Sequence, residues 1–66
     1  MKLTVNGESR TFESVATLTD LLTALGLDAR AVVVEHNRAI VRRPTLAETP
    51  VRDGDTIEIV HFVGGG

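Results

Sequence analysis

The residues of this chain with the most specific chemistry to offer are its last three, Gly64, Gly65 and Gly66. Glycine has no Cβ, so a run of it is a thin, bendable backbone that adds nothing to a core. Such a backbone can enter a channel that any side chain would block, and here it ends in a carboxylate. With a reference pKa of about 3.3–3.7, that carboxylate is ionised at neutral pH and is a poor electrophile. A partner has to activate it, for example by letting it attack the α-phosphate of ATP to give an acyl-adenylate. The acyl group can then pass to an amine, as an isopeptide, or to a sulfur nucleophile, as a thioester or thiocarboxylate. Read so, Gly66 is the reacting residue and Gly64 and Gly65 are its flexible lead. The competing reading is a frayed end, since chain termini are ordinarily disordered.

The other candidates are weaker. His36 and His61 lie far apart and belong to no metal-ligand spacing, so each reads as an ordinary half-exposed side chain. Ser9 and Ser14 lack a nucleophile elbow. Glu48, Asp53, Asp55 and Glu58 are scattered acids, and the turn between Asp53 and Asp55 explains those two better than general acid–base work does. The glycines are followed by no lysine and no helix, as a phosphate-binding loop requires. No catalytic residue and no metal ligand is therefore expected.

The elements that must position the tail follow from periodicity. Lys2-Leu3-Thr4-Val5 alternates as a half-buried strand, and Asn6-Gly7 is a hairpin-turn signal leading to a second strand over Glu8–Phe12, with Phe12 as its inward anchor. Leu18, Leu21, Leu22 and Leu25 recur at helical spacing, which predicts a helix over 18–25. Thr17 is its expected N-cap, with Asp20 completing a capping-box-like pair and Gly26 ending it. Ala31–Glu35 and Ile40-Val41 read as strands joined by a turn at Asn37-Arg38, with Val32 and Val34 inward and Val33 outward. Arg42-Arg43-Pro44 ends the second of these, and Arg42 and Arg43 are expected in solvent. Thr45–Pro50 is a loop or one helical turn from which Leu46 can reach the core. The last strand, Thr56–Phe62, alternates so that Ile57 and Ile59 face in. Glu58, Val60 and Phe62 then face out, and an exposed valine and phenylalanine beside the tail suit a partner interface that also takes in Val63. From Val63 onward the extended chain reaches ~13–14 Å beyond the strand.

Sixty-six residues make one domain, here 1–63, with the glycine tail 64–66 appended. The order of elements requires an α+β fold: a mixed sheet of four to five strands with one helix across one face. There are no cysteines, which excludes disulfides and a thiol nucleophile and points to the cytoplasm. Met1-Lys2 opens directly into the first strand, so no signal peptide is expected, and no run approaches a membrane span. With 7 basic against 9 acidic residues the net charge is -2, so neither nucleic acid nor membrane is an expected partner.

Several segments, in order, resemble the ubiquitin-like β-grasp proteins, and among them the ThiS-type sulfur carriers of thiamine biosynthesis. They are Val5-Asn6-Gly7-Glu8, Thr17-Leu18-Thr19-Asp20-Leu21-Leu22, Val34-Glu35-His36-Asn37, and Ile40-Val41 with Arg43. Asp53-Gly54-Asp55, Ile57-Glu58-Ile59-Val60 and Gly64-Gly65-Gly66 complete the series. The resemblance implies that an E1-like adenylyltransferase activates Gly66 with ATP. A sulfurtransferase or cysteine desulfurase relay would convert it to a thiocarboxylate, and thiazole synthase would take the sulfur. The chain itself would bind no cofactor and would be a carried co-substrate. Other acceptors, such as molybdopterin synthase, and a ubiquitin-like modifier joined to protein lysines are the alternatives. Two residues depart from the family pattern: Arg42 stands at a usual proline, and Val15 at a usual glycine or turn residue.

Overall fold

A computed structural model describes residues 1–62. Within it, β1 (Lys2–Val5) and β2 (Glu8–Thr11) form a hairpin, followed by the helix α1 (Leu18–Ala24). A 3₁₀ turn, Ala29–Ala31, leads to β3 (Val32–His36) and β4 (Ala39–Val41), and a second, Arg43–Glu48, precedes β5 (Thr56–His61). The five strands form one mixed sheet in the order β2-β1-β5-β3-β4. β5 is thus central, parallel to β1 and antiparallel to β3. The expected mixed sheet with one helix across one face is what forms.

The hairpin turns where the sequence requires. Asn6 and Gly7 have φ of 50° and 84°, the left-handed pair of a type I′ turn. Thr17 and Asp20 make a full capping box: the Asp20 N–H donates to Thr17 Oγ1 at 3.3 Å, and the Thr17 N–H to Asp20 Oδ2 at 3.1 Å. Gly26, at φ 73°, ends the helix.

The core lies between α1 and the inner face of the sheet. Leu18, Leu21 and Leu22 from the helix meet Leu3, Val5, Val32, Val34, Ile57 and Ile59 from the strands, closed at one end by Leu46 and Val51. Burying a leucine of this kind is worth ~1.5–3 kcal/mol. Leu25 packs only partly and serves as the C-cap, because the helix has already turned away.

Several expected bounds move. β2 stops at Thr11, although Phe12 and Met1 still exchange hydrogen bonds in the same register, the Phe12 N–H donating to the Met1 carbonyl at 2.9 Å. Phe12 itself is only half buried, and the Arg10 guanidinium sits 5.6 Å from its ring centre. β3 begins at Val32 because the Asp28-capped 3₁₀ turn takes Ala31, and it runs on through His36. β4 starts at Ala39, and the helix ends at Ala24. The segment expected as a loop or single turn is a 3₁₀ helix that begins earlier, at Arg43, with Pro44 in its first turn where a missing N–H costs nothing. Arg42 has φ −72° and ψ 145°, the backbone that a proline imposes, so the departure from the family pattern leaves this loop's geometry intact. Val15 is half buried and packs against the core.

Candidate functional site

β5 is the strand that leads to the tail, and the structure holds it from both sides with two turn asparagines. Asn6 projects its carboxamide onto β5 beyond the point where β1 pairing ends. The Ile59 N–H donates to Asn6 Oδ1 at 2.7 Å, and Asn6 Nδ2 donates to the Ile59 carbonyl at 3.2 Å. Asn37, on the β3–β4 turn at φ 50°, accepts from the Thr56 N–H at 2.9 Å through Oδ1, and its own N–H donates to the Thr56 carbonyl at 2.7 Å. A side-chain amide in the left-handed region thus stands in for a neighbouring strand at each place.

Asp55, just before β5, gathers a second set of bonds. His36 Nε2 lies 2.7 Å from Asp55 Oδ2, with side-chain exposures of 19% and 15%. Asn37 Nδ2 and the Arg52 N–H also donate to the same carboxylate. Burial raises the Asp55 pKa, but these donors outweigh it and hold the carboxyl below its ordinary value. From the sequence, His36 reads as an ordinary half-exposed histidine and Asp55 as a turn acid. Their nineteen-residue separation carries no local signal for the pairing.

On the face of the sheet away from the helix, strand parity sets out the predicted interface residues. Val60 is 60% exposed and Phe62 58% exposed. Val60 pairs across the strands with Val33, which is half buried, and Glu58 pairs with Glu35. Beyond the end of β5 the Phe62 N–H still donates to the Ala31 carbonyl at 2.9 Å, so the ladder fixes the Phe62 backbone. Val63, Gly64, Gly65 and Gly66 lie outside the described residues. Sequence reasoning assigned no role to Ile40, which is 70% exposed beside this patch and opposite Glu35. The inward Val41 next to it was the available signal. His61 is exposed and pairs with Val32. Among the described residues no cluster of three His, Cys, Asp or Glu side chains could hold a metal ion. No helix among them is long and apolar enough to cross a membrane.

The sequence pattern of the ThiS family matches residues 3–66. The chain belongs to the ThiS family. The match includes the terminal glycines. The crystal structure of the thiamine biosynthesis protein ThiS from Geobacter metallireducens superposes with a TM-score of 0.86 at 40% identity, each chain covered completely. The sulfur carrier protein ThiS of Bacillus subtilis is 40% identical over 65 residues, covering 97% of this chain and 98% of that protein. A thiazole synthase of Paramagnetospirillum magneticum is 50% identical over all 66 residues. The chain spans only 20% of the length of that relative, and 20% of a similar thiazole synthase from Magnetococcus marinus. The β-grasp fold is thus shared with ThiS proteins at an identity high enough to carry family membership as well as shape.

Proposed function

We propose that this ThiS-family chain is a sulfur carrier for the thiazole moiety of thiamine, with the Gly66 carboxylate as its working group. The observation that carries the reading is the family match through Gly66 together with near full-length similarity to a protein named a sulfur carrier. The chain acts as co-substrate and has no catalytic residue of its own. An E1-like adenylyltransferase supplies the ATP site. One Gly66 oxygen attacks the α-phosphate and pyrophosphate leaves. The terminal sulfur of a persulfide, borne by a sulfurtransferase or cysteine desulfurase relay, displaces AMP from the acyl carbon. A thiol then attacks the inner sulfur, so that a disulfide forms and the thiocarboxylate is released. Thiazole synthase takes the sulfur from it. Gly64 and Gly65 admit the carboxylate to each buried site, and Glu58, Val60, Phe62 and Val63 dock the body outside. The reaction sequence belongs in the cytoplasm.

Intact mass decides the matter. After incubation of the 66-residue chain with ATP, the adenylating enzyme and a sulfur source, the expected gain is that of sulfur replacing one oxygen. An unchanged mass defeats the carrier reading, and adducts with other proteins identify a modifier instead. One alanine appended after Gly66 is expected to abolish the gain while the melting temperature stays put. Continued thiocarboxylate formation on the extended chain contradicts Gly66 as the reacting residue.

A further inference from the structure

Beside the Val33–Val60 pair the sheet edge is not flat. A depression of about 210 Å³ opens between the Ala29–Ala31 turn, β3 and β4. Val32, Val33 and Val41 line it, together with the exposed Ile40 and Phe62. Arg30, Arg42 and Arg43 reach its rim. The Arg30 charge is already answered, since its guanidinium bonds Asp28 at 2.9 Å. Among the described residues, Arg42 and Arg43 have no ion-pair partner, and neither side chain makes a hydrogen bond within the fold. A chain of net charge -2 thus places two arginines without an ion-pair partner beside this notch, Arg43 near enough to Asp28 to help lower its pKa. The other end of the same face carries the cross-strand pair Glu35 and Glu58. Apolar centre, basic edge and acidic edge together give the face a direction.

We propose that this notch receives an apolar side chain flanked by carboxylates on the surface of thiazole synthase, with Arg42 and Arg43 answering the carboxylates. The inference rests on the carrier reading. Phe62 is anchored through the Ala31 carbonyl and lines the notch, so the notch adjoins the last described residue before the tail. Thiazole synthase is chosen as occupant because the chains of that name contain a segment matching this one throughout, at 50% and 44% identity. A carrier segment tethered to its acceptor meets it at high effective concentration, which favours surfaces made for each other. Charge around an apolar knob fixes register and speeds encounter more than it adds raw affinity. The two arginines therefore set how the body is rotated when the tail enters.

The test measures binding of the 66-residue chain to purified thiazole synthase by isothermal titration, at low and at high salt. Arg42→Glu with Arg43→Glu is expected to weaken binding by about tenfold or more and to remove the salt dependence seen with the unaltered chain. Arg43→Glu alone is expected to have an intermediate effect, and melting temperatures check that each variant folds. Affinity within about twofold for the double variant, or salt-independent binding of the parent, overturns the proposal. An arginine dependence seen only with the adenylating enzyme overturns the choice of occupant. Thiocarboxylate formation by the unaltered chain is followed in parallel. If it occurs while the arginine variants bind normally, the notch assignment fails and the carrier reading stands.

Discussion

Asn6 answers two demands with one side chain. Its φ of 50° is a conformation most residues avoid, at ~1–2 kcal/mol for an ordinary L-residue, and its carboxamide bonds both backbone groups of Ile59. Two substitutions separate the demands. Asn6→Gly keeps the turn and loses the bonds, leaving the Ile59 N–H without its acceptor and the Ile59 carbonyl without this donor. That change is expected to cost ~1–3 kcal/mol, the penalty for an unanswered part-buried polar group. Asn6→Ala adds the backbone strain and is expected to be worse by about 1 kcal/mol. Urea denaturation orders the three proteins, and equal stability of Asn6→Gly and the parent would refute the clamp. In the sequence, Asn6-Gly7 was legible as a turn because the turn chemistry is local. Its second role was not, because the partner lies 53 residues away and a side-chain amide substituting for a strand has no periodicity. The same reason hid the pairing of His36 with Asp55, whereas Val60 and Phe62 were readable as exposed from alternation alone.

At the scale of elements, α1 depends on its first turn. Asp20 accepts from the N–H groups of Ala16 and Thr17, and these bonds hold its carboxyl below the ordinary 3.8. Asp28 is lowered to about 2, first by the Arg30 side chain and then by the Arg30 N–H. A lowered folded-state pKa means that the unfolded chain binds protons first. The stabilisation is present above the unfolded values and is lost as the pH falls through the folded ones. The melting temperature is therefore expected to drop as the pH is taken from about 5 toward 2, and the drop should be shallower in Asp20→Asn. An identical acid limb in that variant would show the capping carboxylate to be silent. Thr17→Ala is expected to cost about 1 kcal/mol at neutral pH. The helix was legible nearly to the residue, because four leucines at helical spacing, a capping pair and a terminal glycine agree. The 3₁₀ segment Arg43–Glu48 was less so: a loop or one turn is expected from Thr45, but Pro44 reads as a stop for β4 and hides that the turn already begins at Arg43. Sheet pairing shows a cost as well. Glu35 faces Glu58 directly, and like charges so placed destabilise a sheet by ~0.2–1 kcal/mol. Glu58→Lys is expected to recover that amount, and a calorimetric scan reads it.

In the whole molecule the central sheet separates two tasks by face. Among the described residues the fully buried side chains lie between α1 and the helix-side face, and the open face holds Val60, Phe62 and Ile40 in solvent. A 66-residue domain at roughly 0.05–0.15 kcal/mol per residue has only about 3–10 kcal/mol of stability to lose. Leu21 is completely buried between α1 and the sheet, and Leu→Ala at such a site costs ~2–5 kcal/mol. Leu21→Ala should therefore lose a large fraction of the total, shown by an early urea midpoint, and any loss of carrier activity in it reports unfolding. Phe62→Asp belongs to the other face. An exposed substitution of this kind changes stability by about 0.5 kcal/mol or less, which moves the melting temperature by ~2–4 °C. Loss of an aromatic anchor from a docking surface costs ~2 kcal/mol of binding, or roughly thirtyfold in affinity. Phe62→Asp is thus expected to fold normally and to bind the proposed activating and accepting enzymes far more weakly. A large fall in melting temperature would instead make Phe62 part of the core, although 58% of it is exposed. Normal binding by the folded variant would remove the open face of β5 from the docking surface and leave the tail to carry recognition alone.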